Sequence, residues 1–302
     1  MVTKRVVKQI SGLKTVTDFV RWGASRFAAA GLHYGHGTQD PVDEALLLVA
    51  HALHLPLPLP SEFYNARLTD QERPRIAALI ERRIEERRPS AYLTGEAWFA
   101  GLRMIADERA LVPRSPIAEL IEQGFSPWID PHAVQRVLDL CTGGGCIAVA
   151  CAAHFPNSQV DAADISAEAL TLAAENVQAQ ALADRVRIVQ SDVFESLNGQ
   201  VYDVIVSNPP YVAEAEFVSL PAEYGHEPAL GLVAGEDGLD IVRRILDGAK
   251  AHLRPGGILI VEVGSAEGAL IDAFPELPFT WLDFERGGSG VFLLRREELT
   301  GD

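Results

Sequence analysis

Tyr202-Asp203-Val204-Ile205-Val206-Ser207-Asn208-Pro209-Pro210-Tyr211-Val212 decides how the rest of this chain is read. The apolar run 202–206 predicts a buried strand. Neither proline can donate to a sheet ladder, so the strand has to stop there. The residue before each proline is pushed into an extended conformation. The product is a stiff turn that projects the Asn208 side chain, several carbonyls and the Tyr211 ring from the strand's carboxyl end. In open α/β sheets that edge is where ligands bind. Asn208 offers a carbonyl acceptor, and the proline segment offers more. Two acceptors held close together suit a planar NH2 group, and Tyr211 can stack on a flat conjugated one. The alternative is a rigid loop in which Asn208 caps its own backbone.

Upstream, 137–141 predicts a strand, Thr142-Gly143-Gly144-Gly145 breaks it, and 146–153 predicts a helix of small residues. A glycine loop between strand and helix lets backbone N–H groups approach a ligand closely. Ala148 occupies the third position of a dinucleotide fingerprint, so the match indicates nucleotide binding only in general terms. The next strand, 159–163, runs into Asp164-Ile165. Asp164 suits the two hydroxyls of a ribose, given the loop before it, or the cap of a helix over 167–178. A third strand, 186–189, leads to Asp192-Val193-Phe194. Asp192 can accept an adenine amine, with Val193 or Phe194 covering the ring, or it can cap its loop.

Beyond the Asn208 turn, 214–240 reads as a lid, followed by a helix over 239–253 and a tight turn at Arg254-Pro255-Gly256-Gly257. His226 reads as a loop histidine rather than a base. A buried strand, 258–263, comes next. Strands at 279–284 and 291–294, joined through Gly287-Gly288-Ser289-Gly290, predict a hairpin that gives an otherwise parallel sheet an antiparallel edge.

The first ninety residues read differently. Val16, Phe19, Val20, Trp22, Phe27 and Leu32 recur at near-helical spacing, with Gly31 at the exit. Asp40-Pro41 opens a second helix running to about Leu53. The proline-spaced run 53–60 cannot be helical. Thr69-Asp70-Gln71-Glu72 is a capping-box pattern for a charged helix reaching about Arg88. Two short β-prone pieces, 97–99 and 102–105, flank Gly101 and predict a hairpin linker. A helix follows over 117–123. The expected organisation is a helical domain at 1–90, a hairpin linker at 91–115 and an α/β domain at 116–302.

The formal net charge is −16, and all of it lies in the second half: residues 1–130 hold as many basic as acidic residues. No Lys or Arg occurs between Arg187 and Arg243, a stretch that holds ten acidic residues, among them Asp203, Glu223 and Glu227. Such a field repels a phosphate backbone and attracts a basic partner, unless it is simply a solvated face. Cys141, Cys146 and Cys151 form no disulfide framework or zinc pattern, and they fit a reducing compartment. The basic start has no apolar stretch behind it, so no secretory signal is expected, and no apolar run is long enough to span a membrane.

Taken together, the run 139–148, Asp164 and Asn208-Pro209-Pro210-Tyr211 resemble the HemK-type methyltransferases, which methylate the side-chain amide nitrogen of glutamine in proteins. Tyr92-Leu93-Thr94-Gly95-Glu96-Ala97-Trp98-Phe99, Leu111-Val112-Pro113-Arg114-Ser115-Pro116, the two loop cysteines, His226-Glu227-Pro228 and 235–240 are similar to the branch that acts on a ribosomal large-subunit protein. The resemblance implies a class I, Rossmann-like α/β fold with a mostly parallel seven-stranded sheet whose last strand is antiparallel. It also implies S-adenosyl-L-methionine as cofactor, a basic ribosomal protein as substrate, a cytoplasmic location, and neither direct nucleic-acid binding nor a metal. It places Asp139, Cys141, Thr142, Gly143, Gly144 and Gly145 at the cofactor. Asp164 and Ile165 fall at the ribose, and Asp192, Val193 and Phe194 at the adenine. Asn208, Pro209, Pro210 and Tyr211 hold the glutamine amide. Gly144 departs from the serine usual in that branch.

Three other readings remain open from the residues: methylation of an exocyclic amine in RNA or DNA, glutamine methylation of a release factor, and a non-catalytic assembly factor that keeps the fold.

Overall fold

The computed structural model describes residues 4–300; Met1–Thr3, part of the basic start, and Gly301–Asp302 lie outside them. The chain divides into two compact units. One comprises Met1–Glu96 together with the sequence-distant segment Pro221–His226, and the other comprises Ala97–Leu220 and Glu227–Asp302.

The first unit is helical: α1 Lys4–Ile10, α2 Val16–Ala30, α3 Pro41–Leu53, α4 Glu72–Glu86 and α5 Ser90–Thr94. Local chemistry sets the ends. Thr15 and Asp18 form a reciprocal capping box at the start of α2, and Gly31 ends it with φ 59°. The Asp40 carboxylate accepts from the N–H groups of Val42 and Asp43, with Pro41 in the first turn. Thr69 and Glu72 exchange bonds just ahead of α4. Phe19, Phe27, Leu48, Ile76 and Ile80 fill the core. Gly23 lets α2 approach closely, because a Cβ there would lie 2.9 Å from Ile80.

Within this apolar unit one ion cluster is buried. Arg83 on α4 donates to Glu44 on α3 at 2.7 Å and lies 3.4 Å from Glu223, which arrives on the Pro221–His226 segment. Arg87 and the His33 N–H also donate to Glu223, and His226 bonds to the Glu86 carbonyl. His226 is therefore tied into the helical unit, through a sequence-distant partner.

A hairpin of β1 Glu96–Phe99 and β2 Leu102–Ile105 follows, all but its first residue in the second unit. Ala100 at φ 46° and Gly101 at φ 75° make the two-residue turn that suits the strands' twist. After α6 Ile117–Glu122 come β3 Arg136–Leu140, α7 Cys146–His154, β4 Gln159–Asp164, α8 Ala167–Ala179, β5 Val186–Gln190 and β6 Tyr202–Ser207. Then follow α9 Glu214–Phe217, α10 Asp240–His252, β7 Leu253–Glu262, α11 Glu267–Ala273, β8 Thr280–Trp281 and β9 Val291–Arg295. The strand order is β5-β4-β3-β6-β7-β9-β8, and β9 runs antiparallel to both of its neighbours. This is the seven-stranded, mostly parallel sheet the sequence leads one to expect. Helices pack both faces, giving two apolar cores.

Arg254–Gly257 is not a turn between elements, as expected, but part of β7. The register jumps from Tyr202↔Leu253 to Val204↔Ile258. Asp203 pins the bulge: it accepts from Arg254 and from the N–H groups of Gln135 and Arg136. The expected lid also differs from a free flap. Val212 and Leu232–Ala234 exchange backbone bonds of 2.8 and 3.0 Å, and Glu214 donates to Gly235. Among the described residues no helix is long and apolar enough to cross a membrane.

Removing Glu223 leaves Arg83 with Glu44 as its carboxylate partner and takes an acceptor from Arg87 and from the His33 N–H. Glu223→Ala is expected to cost about 2 kcal/mol in chemical denaturation. Burial raises the Glu223 carboxyl, but the His33 N–H and the arginines outweigh it and hold it below its ordinary value. This contribution is therefore present at neutral pH and is lost as the pH falls through the carboxylate range. In Glu223→Ala the acid-side slope of stability against pH should flatten.

Candidate active site

The glycine loop and the proline turn leave adjacent strands. Leu140 pairs with Ser207 at the ends of β3 and β6, and the Ser207 hydroxyl donates to the Leu140 carbonyl at 2.8 Å. From β3 the chain proceeds to β4 on one side, while β6 lies on the other, so this is the switch point where an open α/β sheet leaves a crevice.

Three left-handed residues, Cys141, Gly143 and Gly145, wind the chain from β3 into α7. Asp139 holds this loop from beneath. It is wholly buried, and one oxygen accepts from the Thr142 hydroxyl at 2.5 Å and from the Ala148 N–H at 2.9 Å. Its other oxygen has no hydrogen-bond partner among the described residues. Burial pushes the Asp139 carboxyl up to about 7, against the pull of Thr142 and Ala148 and with the Asp164 charge adding to the rise. Burial likewise pushes the Cys141 and Cys146 thiols up, so neither is poised as a thiolate.

Asp164 lies at the tip of β4. One oxygen accepts from the Gly143 N–H and the other from the Ser166 N–H, both at 2.9 Å. Ser166, not Asp164, caps α8. Each Asp164 oxygen keeps a lone pair beyond its backbone bond. Ile165 beside it is 48% exposed. Gly144 stands where a Cβ would meet only the end of Leu172 at 3.2 Å and Ala110 at 3.7 Å.

Asp139, Thr142, Gly143 and Asp164 are thus joined in one hydrogen-bonded group. Asp192 accepts from Arg244 on α10 through one oxygen. Val193, at φ 50°, is buried in the core beneath α10. Phe194 turns away from the loop: its ring stacks on His252 at 4.5 Å and fills the space beside Gly248.

Asn208 is half-buried, and its side chain has no hydrogen-bond partner among the described residues. The reading in which it caps its own backbone therefore fails. Pro209 is buried and Pro210 half-buried. The Tyr211 hydroxyl donates to Glu262 at the end of β7, at 3.1 Å. Glu262 also accepts from the Ser115 hydroxyl at 2.5 Å. Burial raises its carboxyl, opposed by both hydroxyls. The sequence reading passed over Glu262, although a lone charge closing the apolar run 258–263 was the signal. It also missed Asn176, a polar residue on the buried face of α8. Asn176 donates to the Gly144 carbonyl at 2.8 Å and bonds to both backbone groups of Ile105.

Two family models match the chain: "Methyltransferase small domain" over residues 125–221 and "PrmC N-terminal domain" over 18–95. Among solved structures, the hMettl16 catalytic domain in complex with an RNA hairpin superposes with a TM-score of 0.50 at 20% identity. The match covers 75% of this chain and 81% of that one, and it speaks to fold alone. Sheet order, glycine loop and family model together define a class I methyltransferase, whose methyl donor is S-adenosylmethionine. A ribosomal protein uL3 glutamine methyltransferase of Xanthomonas campestris is 53% identical over 95% of this chain and 93% of its own length. One from Bordetella pertussis is 49% identical over 95% and 97%. The chain belongs to the family of ribosomal protein uL3 glutamine methyltransferases.

The residues present fit that donor. The unpartnered Asp139 oxygen is a buried acceptor suited to an ammonium, and the glycines keep the loop's backbone open. Because the Asp139 carboxyl lies above its ordinary value, its ionised form costs stability. The cost is absent at acid pH and grows as the pH rises from about 4 through about 7. Asp139→Asn should therefore melt no lower than wild type near pH 8 while binding the donor at least about tenfold more weakly by calorimetry. Wild-type affinity should fall as the pH drops below about 7.

Proposed function

We infer that this chain transfers the methyl group of S-adenosylmethionine to the side-chain amide nitrogen of a glutamine in ribosomal protein uL3. When bound, the cofactor supplies a methyl group on a positively charged sulfur. Thr142, Gly143 and Gly145 would hold its methionine part, Asp139 its ammonium, Asp164 the ribose hydroxyls, and Asp192 with the Val193 backbone the adenine edge. The Phe194 ring is turned toward His252 and supports that turn from behind.

An amide nitrogen is a poor nucleophile because its lone pair is delocalised into the carbonyl. The Asn208 carbonyl oxygen and the Pro209 carbonyl accept the two N–H bonds. This orients the lone pair and favours the positive charge that develops on nitrogen. Tyr211 covers the amide face. The unbonded Asn208 side chain, at a strand end beside the glycine loop, is the observation that carries this reading.

The helical unit contributes to substrate recognition, and the location is the cytoplasm. The target segment is basic: Glu214, Glu216 and Glu236 are exposed beyond the turn and present no surface for a phosphate backbone.

Intact-mass and fragment analysis of uL3 incubated with enzyme and labelled cofactor should place one methyl group on one glutamine. Label in RNA, in DNA or in a release factor would overturn the assignment. Asn208→Ala should lower kcat by about 100-fold or more, with cofactor affinity changed less than about threefold.

A further inference from the structure

We propose that Glu262, locked by Ser115, is a positioning residue for methyl transfer: it fixes Tyr211 so that the ring, not the hydroxyl, is presented to the substrate carboxamide. The proposal rests on the glutamine reading above and assigns a task to a carboxylate that reading leaves unused.

Tyr211 is pinned at three points. Its hydroxyl is spent on Glu262. Its ring edge packs on Gly264, where a Cβ would lie 2.6 Å from Cε2; Gly264 has φ 45°, so any side chain there is also strained. Its carbonyl sits against Gly238, where a Cβ would approach within 2.2 Å. A tyrosine ring has two rotatable bonds, and these contacts leave it one placement.

Glu262 is itself over-determined. It closes β7, is buried, and receives one hydroxyl on each oxygen. Ser115 comes from the stretch joining the hairpin to α6, and its hydroxyl oxygen also accepts the Ile117 N–H at 3.2 Å. The same stretch, through Val112 and Arg114, secures the far end of the segment beyond the turn. The Val112 N–H and the Arg114 guanidinium both bond to buried Glu227, at 2.9 and 2.5 Å. Both ends of the 208–227 stretch are therefore braced by residues 112–115. That accounts for a motif the sequence singled out and to which the chemistry assigns no role.

The consequence is specificity. A free tyrosine hydroxyl would compete with Asn208 for the amide, or would bond to the carbonyl of a carboxylate analogue. A hydroxyl committed to Glu262 leaves a flat π face, which accepts a planar amide of either orientation and lets the Asn208 and Pro209 acceptors select NH2.

The test is a double-mutant cycle on the full chain with a uL3 substrate, using Tyr211→Phe, Glu262→Gln and the pair. Each single variant should lower kcat/KM for the protein substrate by about tenfold, and the pair should be no worse than either single, because they break one shared device. Cofactor affinity should stay within about twofold in all three, which a general loosening of the site would not allow. Ser115→Ala, which leaves Glu262 in place, should show a smaller loss in the same direction. It also decides the matter if Glu262→Gln folds poorly. Additive losses, or Tyr211→Phe at the wild-type level, would overturn the proposal while wild-type glutamine methylation stands. Failure of the wild type to methylate glutamine would instead remove the reading on which it rests.

Discussion

The Ser207 hydroxyl bonded to the Leu140 carbonyl joins two strand ends, and the placing of the glycine loop beside the proline turn depends on that junction. β3 carries the glycine loop and β6 carries the proline turn. Their register, Leu140 beside Ser207, brings the glycine loop and the proline turn to the same edge. A slip of one residue would turn every side chain of β6 to the opposite face. The register is protected on both sides: Val137 through Leu140 pair with β4, and Val204 through Ser207 pair with β7. The site is assembled by the sheet, and the loops only decorate it.

Charge follows a similar economy. The stretch between Arg187 and Arg243 holds no basic residue, yet much of its acid is answered by arginines from elsewhere in the sequence. Asp192 meets Arg244, Asp203 meets Arg254, Glu223 meets Arg83 and Arg87, Glu227 meets Arg114, and Asp237 meets Arg243. These acids are fasteners for the segments around the turn. The outward field comes from the remainder, chiefly Glu214, Glu216 and Glu236. Linear charge counting overstates a surface potential whenever the counter-ions are distant in sequence and close in space.

Elements with a one-dimensional signature were legible. The Asp40-Pro41 start of α3, the glycine exit of α2, the hairpin around Gly101, the strand–glycine–helix unit and the antiparallel β9 each rest on a local rule that tertiary structure had no reason to override. What escaped depends on partners far along the chain. Asp164 could be weighed as ribose ligand or helix cap, but not as the acceptor that ties β4 to Gly143. Phe194 could be placed near the adenine by position, but nothing local reveals that Gly248 leaves a slot for its ring. Glu262 and Ser115 lie 147 residues apart and mean nothing singly. The bulge at Arg254–Gly257 reads as a turn because Pro-Gly-Gly breaks a strand in isolation, and only Asp203 shows that the ladder resumes.

Two buried carboxylates flank the site without serving it as bases. Asp139 lies in β3 and Glu262 ends β7, with β6 and Asn208 between them. Asp139 lies beneath the glycine loop, bonded to Thr142 and Ala148, and Glu262 has a hydroxyl on each oxygen, so neither is set beside the proline turn as a base. No such base is needed. The reaction begins with positive charge on sulfur and passes it to an amide nitrogen, and a protonated amide sheds its proton to water unaided. What the transfer does require is that the charge remain welcome throughout its path. Asp139, in a poorly solvated interior with its ionised form made costly by burial, would be relieved by a cation at the start of that path. For Asp139, the desolvation that is a burden to the empty fold would be eased by a cationic methyl donor, whereas Glu262, with both oxygens bonded, is left to hold Tyr211.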